Sequence, residues 1–466
     1  MREVHLVEGE EPTHATDAAG AGPGRGRLPW PWLVAGAACL LVALVSVQQA
    51  IGARDALADS PPSTVHPVPA PARTLAPLWR LDATADGATP VGSVAVGATV
   101  GDEGVTVVGI DPASGAHAWS VTAPSAGDPD GVRCAPLDAP DGTPGRAVCV
   151  TAHRSDEAPE PRPETVVVVD TATGALVGTW ATDLQAWGRL GDRVVVAVPD
   201  DDDTTFGWTV AAHEATGAVT WTTSTSRAPL GGPDTGIPLG DELVGTDAWV
   251  AVTDRGHAWV LRADGTVRDD RAIGTGWAAV TRSGGVSLSG HLGYDDAGSV
   301  LLLDDAAVPV PGWVVPVAQD DGSAPGVELY TVDGGHGAGL VARDGATGAE
   351  LWRDADVWAG DVVVRDGVVL VAGQDDVRAY DLADGTRRWT ARLPGAAGLW
   401  LDGDVLLATA PANVTVLALD PRSGRALWKA AARHLLPDPG TGEQPSITPW
   451  AGELVATVGG ESWVIG

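Results

Sequence analysis

The sequence predicts an all-β fold: a single β-propeller of four-stranded blades, about eight within a range of seven to nine, preceded by one N-terminal transmembrane helix. Three observations predict it. Short valine-rich runs alternate with glycine and aspartate, one template recurs along the chain, and one uncharged apolar segment lies near the N-terminus. With 61 glycines and 35 prolines among 466 residues, long helices are not expected over most of the chain.

The recurring template is an acidic or polar residue, a glycine four positions later and a tryptophan four positions after that. Five segments keep it, IDPASGAHAW, AHEATGAVTW, ARDGATGAELW, AYDLADGTRRW and ALDPRSGRALW, and they end at Trp119, Trp221, Trp352, Trp389 and Trp428. A sixth segment, VVVVDTATGALVGTW, delays its aromatic residue to Trp180. In the second segment His213 replaces the acidic residue, and we interpret it as a turn histidine.

The template predicts a local structure and a contact. An aspartate that accepts hydrogen bonds from backbone N–H groups, followed by a glycine with positive φ, favours a tight hairpin. The tryptophan then falls on the outer strand, where its ring can pack against the next blade while its N–H reaches a carbonyl. We therefore expect six docking tryptophans, namely Trp119, Trp180, Trp221, Trp352, Trp389 and Trp428.

The spacing of the template glycines sets the size of the unit. They lie at positions 115, 174, 217, 265, 348, 385 and 424, and the step from 265 to 348 spans two units, with a degenerate copy at 301–305. A unit of about 40 residues matches one four-stranded blade. Counting every candidate gives nine units, but residues 82–105 leave little room for two inner strands. We expect Trp79, near the start of the domain, to supply the outer strand that the C-terminal unit lacks and so to close the ring.

The pattern A-x-D-x-x-[TS]-G-x-x-x-W resembles the repeat of PQQ-like (pyrroloquinoline-quinone-type) β-propellers over residues 78–466. The resemblance implies two kinds of function. Exported single-propeller members, such as outer-membrane assembly lipoproteins, act as scaffolds, whereas quinoprotein dehydrogenases bind PQQ and Ca²⁺ over the channel. The dehydrogenase ligands have no counterpart here, because the sole asparagine, Asn413, lies in an apparent turn and no two cysteines are adjacent. No cofactor or metal is therefore predicted, and PQQ and Ca²⁺ belong to the alternative function.

The N-terminal region predicts export. Residues 28–47 carry no charge and would span about 30 Å as a helix, the thickness of a bilayer core. Arg25 and Arg27 precede the segment and favour a cytoplasmic N-terminus. We expect a cytoplasmic tail (1–27), a transmembrane helix (28–51), a Pro-rich linker (52–76) and the propeller (77–466) on the extracytoplasmic side. A signal peptide cleaved near residues 50–52 and a lipoprotein signal at Cys39 are the alternatives.

Charge and cysteine content narrow the partners. A formal net charge of −32 with one lysine makes nucleic acid a poor partner. Cys134 and Cys149 lie 15 positions apart on two predicted strands joined by a Gly/Pro turn, so we expect a disulfide in an exported protein. Low Lys, Asn and Phe with abundant Ala, Gly and Arg suggest a bacterial source.

Two further features bear on a functional site. The run of four aspartates at 200–203 either forms a solvated loop, which we favour, or attracts Ca²⁺. Five tryptophans outside the template fall near candidate innermost strands, where they either pack between blades or form an aromatic rim at one channel mouth; they are Trp187, Trp277, Trp358, Trp400 and Trp450.

The sequence favours a non-catalytic binding or scaffold domain, tethered to the membrane by its N-terminal helix. Its partner would be another envelope protein or a small ligand. The alternative is a quinoprotein-like oxidoreductase or a hydrolase with its site at the mouth of the central channel. No catalytic residue can be named, since no P-loop, zinc-binding helix or nucleophile elbow is present.

Overall fold

The structure is a computed structural model whose described residues all belong to the second of two compact units, 1–65 and 66–466. It describes residues 77–81, 87–126, 129–139, 144–152, 163–202, 204–229, 242–274, 276–291, 297–303, 306–334, 337–357, 359–410, 415–431, 446–450, 453–458 and 461–465. The expected tail, transmembrane helix and linker lie outside these residues. Within the described ranges, no helix has the length and apolar character needed to cross a membrane.

In the described residues, 39 strands form nine successive blades. The chain starts with β1 (Pro77–Arg80). Blade 1 contains β2 (Thr89–Val91), β3 (Val94–Gly101), β4 (Gly104–Ile110) and β5 (His117–Ala123), and blade 2 contains β6 (Gly131–Asp138), β7 (Pro144–Ala152), β8 (Pro163–Asp170) and β9 (Leu176–Asp183). Blade 3 contains β10 (Ala186–Leu190), β11 (Arg193–Pro199), β13 (Trp208–His213) and β14 (Val219–Ser224). A two-stranded ribbon of β12 (Thr205–Phe206) and β15 (Ala228–Pro229) accompanies blade 3.

Blades 4 to 6 follow the same order. Blade 4 contains β16 (Glu242–Gly245), β17 (Trp249–Asp254), β18 (His257–Arg262) and β19 (Val267–Ala272). Blade 5 contains β20 (Trp277–Val280), β21 (Val286–His291), β22 (Ala297–Leu302) and β23 (Ala307–Pro311). Blade 6 contains β24 (Trp313–Val314), β26 (Val327–Gly334), β27 (Gly337–Asp344) and β28 (Glu350–Asp354). Between β24 and β26 the chain forms β25 (Val317–Asp320), which joins the sheet of blade 7.

Blades 7 to 9 complete the ring. Blade 7 contains β29 (Val362–Arg365), β30 (Val368–Ala372), β31 (Asp376–Asp381) and β32 (Arg387–Arg392). Blade 8 contains β33 (Gly398–Asp402), β34 (Val405–Ala410), β35 (Thr415–Leu419) and β36 (Ala426–Ala431). Blade 9 contains β37 (Ser446–Trp450), β38 (Glu453–Val458) and β39 (Glu461–Ile465), with β1 as its fourth strand. The first strands of several neighbouring blades contact one another, so the first strand of a blade lies at the central channel and the fourth at the circumference.

The expected closure of the ring is confirmed. β1 pairs antiparallel with β39, with Trp79 opposite Val464 and Arg80 opposite Trp463. An ion pair of 2.7 Å between Arg80 and Glu461 adds to this pairing. The outer strand of the last blade therefore comes from the start of the domain, and the ring is closed by pairing between the first and last strands of the domain.

The described residues form nine blades, at the upper limit of the predicted range and one above the favoured eight. The extra blade includes residues 82–105, where β2 is very short. That strand has only three residues, Thr89–Val91, and a two-residue turn with positive φ at Gly92 leads into β3. Two inner strands therefore fit into a stretch that looked too short for them.

The core lies between the blades. In β17 and β34 all six residues are buried, because both faces of a middle strand are covered by the neighbouring blades. One cluster, for example, joins Val363 and Leu370 of blade 7 to Leu406 and Leu419 of blade 8, each at most 1% exposed. This explains why the middle strands are continuous apolar runs instead of alternating polar and apolar residues.

Candidate functional site

The template turn is best described in blade 7. The backbone N–H of Gly385 donates to the carbonyl of Asp381 at 2.9 Å, and the Asp381 carboxylate accepts from the N–H of Ala383 at 3.0 Å. Gly385 has a φ of 71°, which a residue with a Cβ rarely adopts. The aspartate and the glycine of the template therefore build the turn as expected.

The tryptophan of the preceding blade docks on this turn. Trp352 of blade 6 donates its indole N–H to the Leu382 carbonyl at 2.8 Å, and its ring lies where a side chain on Gly385 would begin, 2.6 Å from that Cβ position. The glycine thus has a second role that the sequence did not indicate: it leaves room for the ring of the neighbouring blade. We call this contact, formed by Trp352, Leu382 and Gly385, seam 6–7.

Four other seams repeat the contact. In each, an indole N–H donates to a carbonyl of the turn, and the ring covers the glycine of that turn. The accepting carbonyl lies three positions before the glycine in three of these turns and two positions before Gly265 in the fourth. The sets of tryptophan, carbonyl residue and glycine are Trp79, Pro112 and Gly115; Trp119, Thr171 and Gly174; Trp221, Ala263 and Gly265; and Trp389, Pro421 and Gly424. Trp352 is buried at 8% exposure, whereas the other docking rings are half-buried.

Two expected docking tryptophans differ in detail. Trp180 lies against Gly217, but its ring stacks on His213 at 5.5 Å, and its N–H has no hydrogen-bond partner among the described residues. His213 is buried and its Nδ1 lies 3.1 Å from the Gly217 carbonyl, which fits a turn histidine. Trp428 packs against the cluster between blades 8 and 9, again with an N–H that no described group accepts.

The seam between blades 4 and 5 departs from the template. Asp269 pairs with Val260 next to a strand bulge, the position that Trp389 occupies opposite Ala379 in blade 7. Its carboxylate is bound by Arg271, whose Nε donates at 2.8 Å. An aspartate thus stands where other blades carry the docking tryptophan.

The turn of blade 5 has changed as well. It closes with the N–H of Leu303 donating to the Ala306 carbonyl at 2.9 Å and has no template glycine. The Leu303 carbonyl accepts from Arg268 at 3.2 Å, so a guanidinium from blade 4 takes the place of an indole N–H. We call this contact of Arg268, Asp269 and Leu303 seam 4–5.

A cleft of about 570 Å³ lies over the turns at this seam. Its walls come from turns and strand ends of blades 4, 5 and 6. The lining residues of this blade 5 cleft are Ala248, Trp249, Ser283, Gly284, Gly285, Leu301, Leu302, Leu303, Ala306 and Ala346. No sequence motif marks this cleft, and its one signal in the sequence is the double step between Gly265 and Gly348, which identifies the blade without a template glycine.

The structure does not bring together the four candidate rim tryptophans that it describes. Trp187 on β10 packs against the cluster between blades 2 and 3. Trp277 on β20 lies 6.1 Å from the ring of Trp313, at the start of the next innermost strand. Trp358 lies outside the described residues. These tryptophans therefore contact neighbouring blades at separate places around the ring.

The other two are also engaged in packing between blades. Trp400 on β33 is 3% exposed within the cluster between blades 8 and 9. Trp450 lies at the far end of β37, stacks edge-on against Trp79 at 5.7 Å and donates its N–H to the Ala88 carbonyl at 3.1 Å.

The central channel contains a strand of the chain itself. β25 pairs in parallel with β29, the first strand of blade 7, on the edge that faces the channel. Gln319 of β25 donates to the Leu401 carbonyl at 3.2 Å and accepts from the Leu401 N–H, so its side-chain amide bridges to blade 8. One end of the channel is thus occupied by β25 and the segment around it.

Arg282 fixes this segment. Its side chain, 4% exposed, forms a two-point ion pair with Asp320 at 2.6 and 2.9 Å and donates to the Val327 carbonyl at 2.7 Å. The backbone N–H of Arg282 donates to the fully buried Glu328 at 2.7 Å. Separating Arg282 from these partners would leave a buried charge uncompensated, so the contacts hold the segment that contains β25 in place.

The acidic run at 200–202 is paired with arginines. Arg227 bridges the first and third carboxylates at 2.5 Å each, and Arg255 binds Asp201 at 2.8 Å. Asp203 lies outside the described residues. In the described residues no group of three or more His, Cys, Asp or Glu is arranged to hold a metal ion.

Carboxyl groups differ in pKa by environment. Hydrogen bonds from the backbone N–H of Thr204 and from Thr205 hold the pKa of Asp202 well below its usual range. Burial, followed by repulsion from Asp402 and Asp111, raises the pKa of Glu453. Glu453 and Asp402 lie at turns of blades 9 and 8, away from the residues that line the blade 5 cleft.

The structure joins Cys134 and Cys149 by a disulfide. The two residues lie directly opposite each other on β6 and β7, the first two strands of blade 2. The bond therefore fastens the channel strand of this blade to its neighbour.

Comparison with known proteins agrees with the repeat. Residues 337–465, which cover most of blades 6 to 9, match the sequence family described as outer membrane protein assembly factor BamB. No curated protein matches the sequence significantly.

Three solved structures illustrate the similarity of fold. BamB from Moraxella catarrhalis is 15% identical with a TM-score of 0.42, over 84% of this chain and 99% of that one. A eukaryotic initiation factor gives 13% and 0.47 over 74% and 86%, and a europium-containing methanol dehydrogenase gives 12% and 0.38 over 84% and 86%. Identities and TM-scores this low carry no argument about function. The template turns, their docked tryptophans and the match over residues 337–465 support a PQQ-like β-propeller repeat in this chain.

Proposed function

We propose that this chain is a non-catalytic binding domain held at the outer face of a membrane, and that the blade 5 cleft is its binding site. The lining of the cleft carries the proposal. Among the described residues, the ten that line it have no ionisable side chain, and Ser283 supplies the sole hydroxyl of these ten. General acid–base catalysis needs a positioned titratable group, whereas a partly apolar cleft with a few polar groups suits binding.

The arrangement of the channel also favours binding over catalysis. Arg282, Asp320 and Glu328 have polar groups committed to one another or to the backbone around β25. The arginines at 227 and 255 likewise pair with the acidic run. Because these charged side chains are already paired, they help to keep the scaffold rigid. Loops positioned by a rigid scaffold are common binding elements.

The location at the outer membrane face is supported by the sequence. Residues 28–47 are long enough to span a bilayer, and Arg25 and Arg27 favour a cytoplasmic N-terminus. The family described as an outer membrane assembly factor fits an envelope protein as the partner. Protease added to intact spheroplasts should digest the propeller, and protection until lysis would reverse the proposed orientation.

Site-specific cross-linking tests the binding site. Ala346 in the turn of blade 6 lines the cleft, and Ala383 holds the same place in the turn of blade 7, two residues after the template aspartate; both are exposed. A photoreactive benzoylphenylalanine at Ala346 should give a discrete adduct in whole cells. The same group at Ala383 is the matched control and should give none. Identical patterns from both positions, or no adduct from Ala346, would contradict the proposal.

The enzymatic alternative has its own test. Ca²⁺ and PQQ are added to the purified chain, and the thermal midpoint and visible absorbance are measured. We expect neither to change. A saturable rise in the midpoint, with absorbance changes at the same ligand concentrations, would favour a quinoprotein-like oxidoreductase instead.

A further inference from the structure

The outer strand of each blade has one open edge. Among the described residues, the fourth strand of every blade is terminal in the hydrogen-bonded order of its sheet, so its outward N–H and C=O groups have no strand partner. Such an edge can pair with a strand of another chain, and proteins commonly protect it with charged residues or prolines. The nine outer strands of this ring can therefore be compared by the protection that each carries.

Most outer strands carry such residues. β19, β28, β32 and β36 contain arginine or lysine, β23 contains Pro309 and Pro311, β1 contains Arg80, and β9 ends at Asp183. β5 has no charged residue or proline but begins at the titratable His117. β14 has the sequence VTWTTS, without any charged residue, histidine, proline or glycine. Within the described strands, the outer edge of blade 3 is thus the least protected.

The side chains of β14 suit an added strand. Threonine, valine and tryptophan are residues that favour strands, and Thr220, Thr222 and Ser224 are exposed. Val219, at the start of the strand, is 58% exposed. In the part of the chain that the structure describes, β13 alone pairs with β14. The strand therefore presents both accessible side chains and an accessible backbone edge.

The hydrogen-bond pattern shows which backbone groups face this edge. Just beyond β14 the N–H of Thr225 donates to the Trp208 carbonyl at 2.8 Å, so this residue bonds towards β13. Bonded and non-bonded pairs alternate along an antiparallel ladder, and Thr222 lies three positions before Thr225, opposite Ala211. The N–H and C=O of Thr222 therefore point away from β13, to the open edge.

The charge around this edge favours one kind of partner. Glu214 lies in the turn before β14, and Asp264 precedes Gly265, the glycine on which Trp221 of β14 docks; both carboxylates are exposed. The chain as a whole has a formal net charge of −32. A second copy of this chain would bring the same negative charge to the contact, whereas a strand flanked by basic residues would be attracted to it.

We propose that the outer edge of blade 3 binds a partner protein by strand addition, in which an extended segment of the partner pairs with β14 as a fifth strand of the blade. The segment is rich in β-branched residues, and a lysine or arginine beside it faces Glu214 and Asp264. This surface is distinct from the blade 5 cleft, so the inference goes beyond the binding site proposed above.

Fluorescence anisotropy of the full chain in detergent micelles tests the strand addition, with a fluorescein-labelled Lys-Thr-Val-Thr-Val-Thr-Lys peptide as the probe. We expect saturable binding, and an affinity at least about tenfold lower for Thr222→Pro, which removes an outward N–H. Thr390→Pro is the matched control and should keep the original affinity, because Thr390 likewise follows a docking tryptophan, on the outer strand of blade 7. Absence of saturable binding, or an equal loss in the two variants, would overturn the proposal.

A second variant and two altered peptides separate backbone pairing from general attraction. Thr222→Lys leaves the backbone intact and adds the protection that β36 carries, so it should also weaken binding. A peptide that is N-methylated at every threonine and valine cannot form strand hydrogen bonds and should bind at least about tenfold more weakly. Replacing both lysines of the probe by glutamates should weaken binding several-fold. Full affinity of the N-methylated peptide would refute strand addition.

Sedimentation velocity of the full chain in the same micelles identifies the occupant. We expect the original chain and Thr222→Pro to sediment alike, as chains that do not pair through this edge. A dimer that Thr222→Pro dissociates would assign the edge to a second copy and overturn the partner proposed here. Cross-linking from Ala346 reports on the blade 5 cleft alone, so failure of either proposal leaves the other standing.

Discussion

Seam 6–7 and seam 4–5 occupy equivalent places in the ring and are built from different chemistry. In seam 6–7 a buried indole covers a glycine and bonds to the Leu382 carbonyl at 2.8 Å. In seam 4–5 an aspartate replaces the tryptophan, an arginine reaches the Leu303 carbonyl, and a cleft lies over the turns. A repeat fold thus reveals a candidate site where the repeat fails, because the indole contact that five other seams make is replaced there by an arginine and an aspartate.

The two seams should differ most in the free energy of unfolding that is lost when one side chain of each is replaced by alanine. Trp352→Ala removes a buried ring and should lower the free energy of unfolding by about 3–5 kcal/mol. Asp269→Ala removes a carboxylate that is 8% exposed, but its partner Arg271 stays 31% exposed to solvent, so the change should cost less, about 1–2 kcal/mol. Chemical denaturation of the purified variants measures both. Similar losses at the two positions would mean that the seams are energetically equivalent.

The glycine of seam 6–7 should be nearly as sensitive as its tryptophan. Gly385→Ala places a Cβ at a φ of 71° and only 2.6 Å from the Trp352 ring, and the backbone strain alone costs about 1–3 kcal/mol. In a Trp352→Ala background the cost should fall, because the clash with the ring is gone. A double-mutant cycle on unfolding free energies isolates this coupling. An unchanged cost in both backgrounds would show that the ring and the glycine do not interact.

Local stability should follow the same contrast. Without a docked ring, the strands beside seam 4–5 should open more readily than those beside seam 6–7. We expect amide hydrogen exchange about tenfold faster in β22 than in β31, the strands that lead into the two turns. Exchange measured by mass spectrometry under native conditions decides it. Slower exchange in β22 would show that the arginine anchors the seam as firmly as an indole.

The smallest expected change in the free energy of unfolding concerns a carboxyl group outside both seams, that of Glu453 in blade 9. Burial and repulsion from Asp402 and Asp111 raise the pKa of Glu453, so its charged form is disfavoured in the folded protein. Stability from this group is present below the pKa of the unfolded chain and is lost as pH rises through the folded value. Glu453→Gln should therefore stabilise the protein at pH 7 by about 0.3 kcal/mol and have no effect near pH 3. A destabilised variant at pH 7 would reverse the sign.

Some features of the fold were predictable from the sequence and others were not. The ring closure through Trp79 was predictable, since the last unit lacked an outer strand and the first segment offered one. The ninth blade is not predictable from sequence, because β2 has only three residues, too few for a recognisable pattern. The rim tryptophans could not be placed from sequence, since neighbouring innermost strands present them at different heights and towards different blades.

The sequence by itself determined the repeat, the turns and the docking residues. Each of these depends on residues within about ten positions of one another, where hydrogen bonds and φ preferences act locally. Only the tertiary structure decided that Trp352 needs Gly385, that β25 enters the channel and that blade 5 carries a cleft. These features join turns of separate blades, about 30 to 100 residues apart in the chain, and such distances are fixed only when the ring closes.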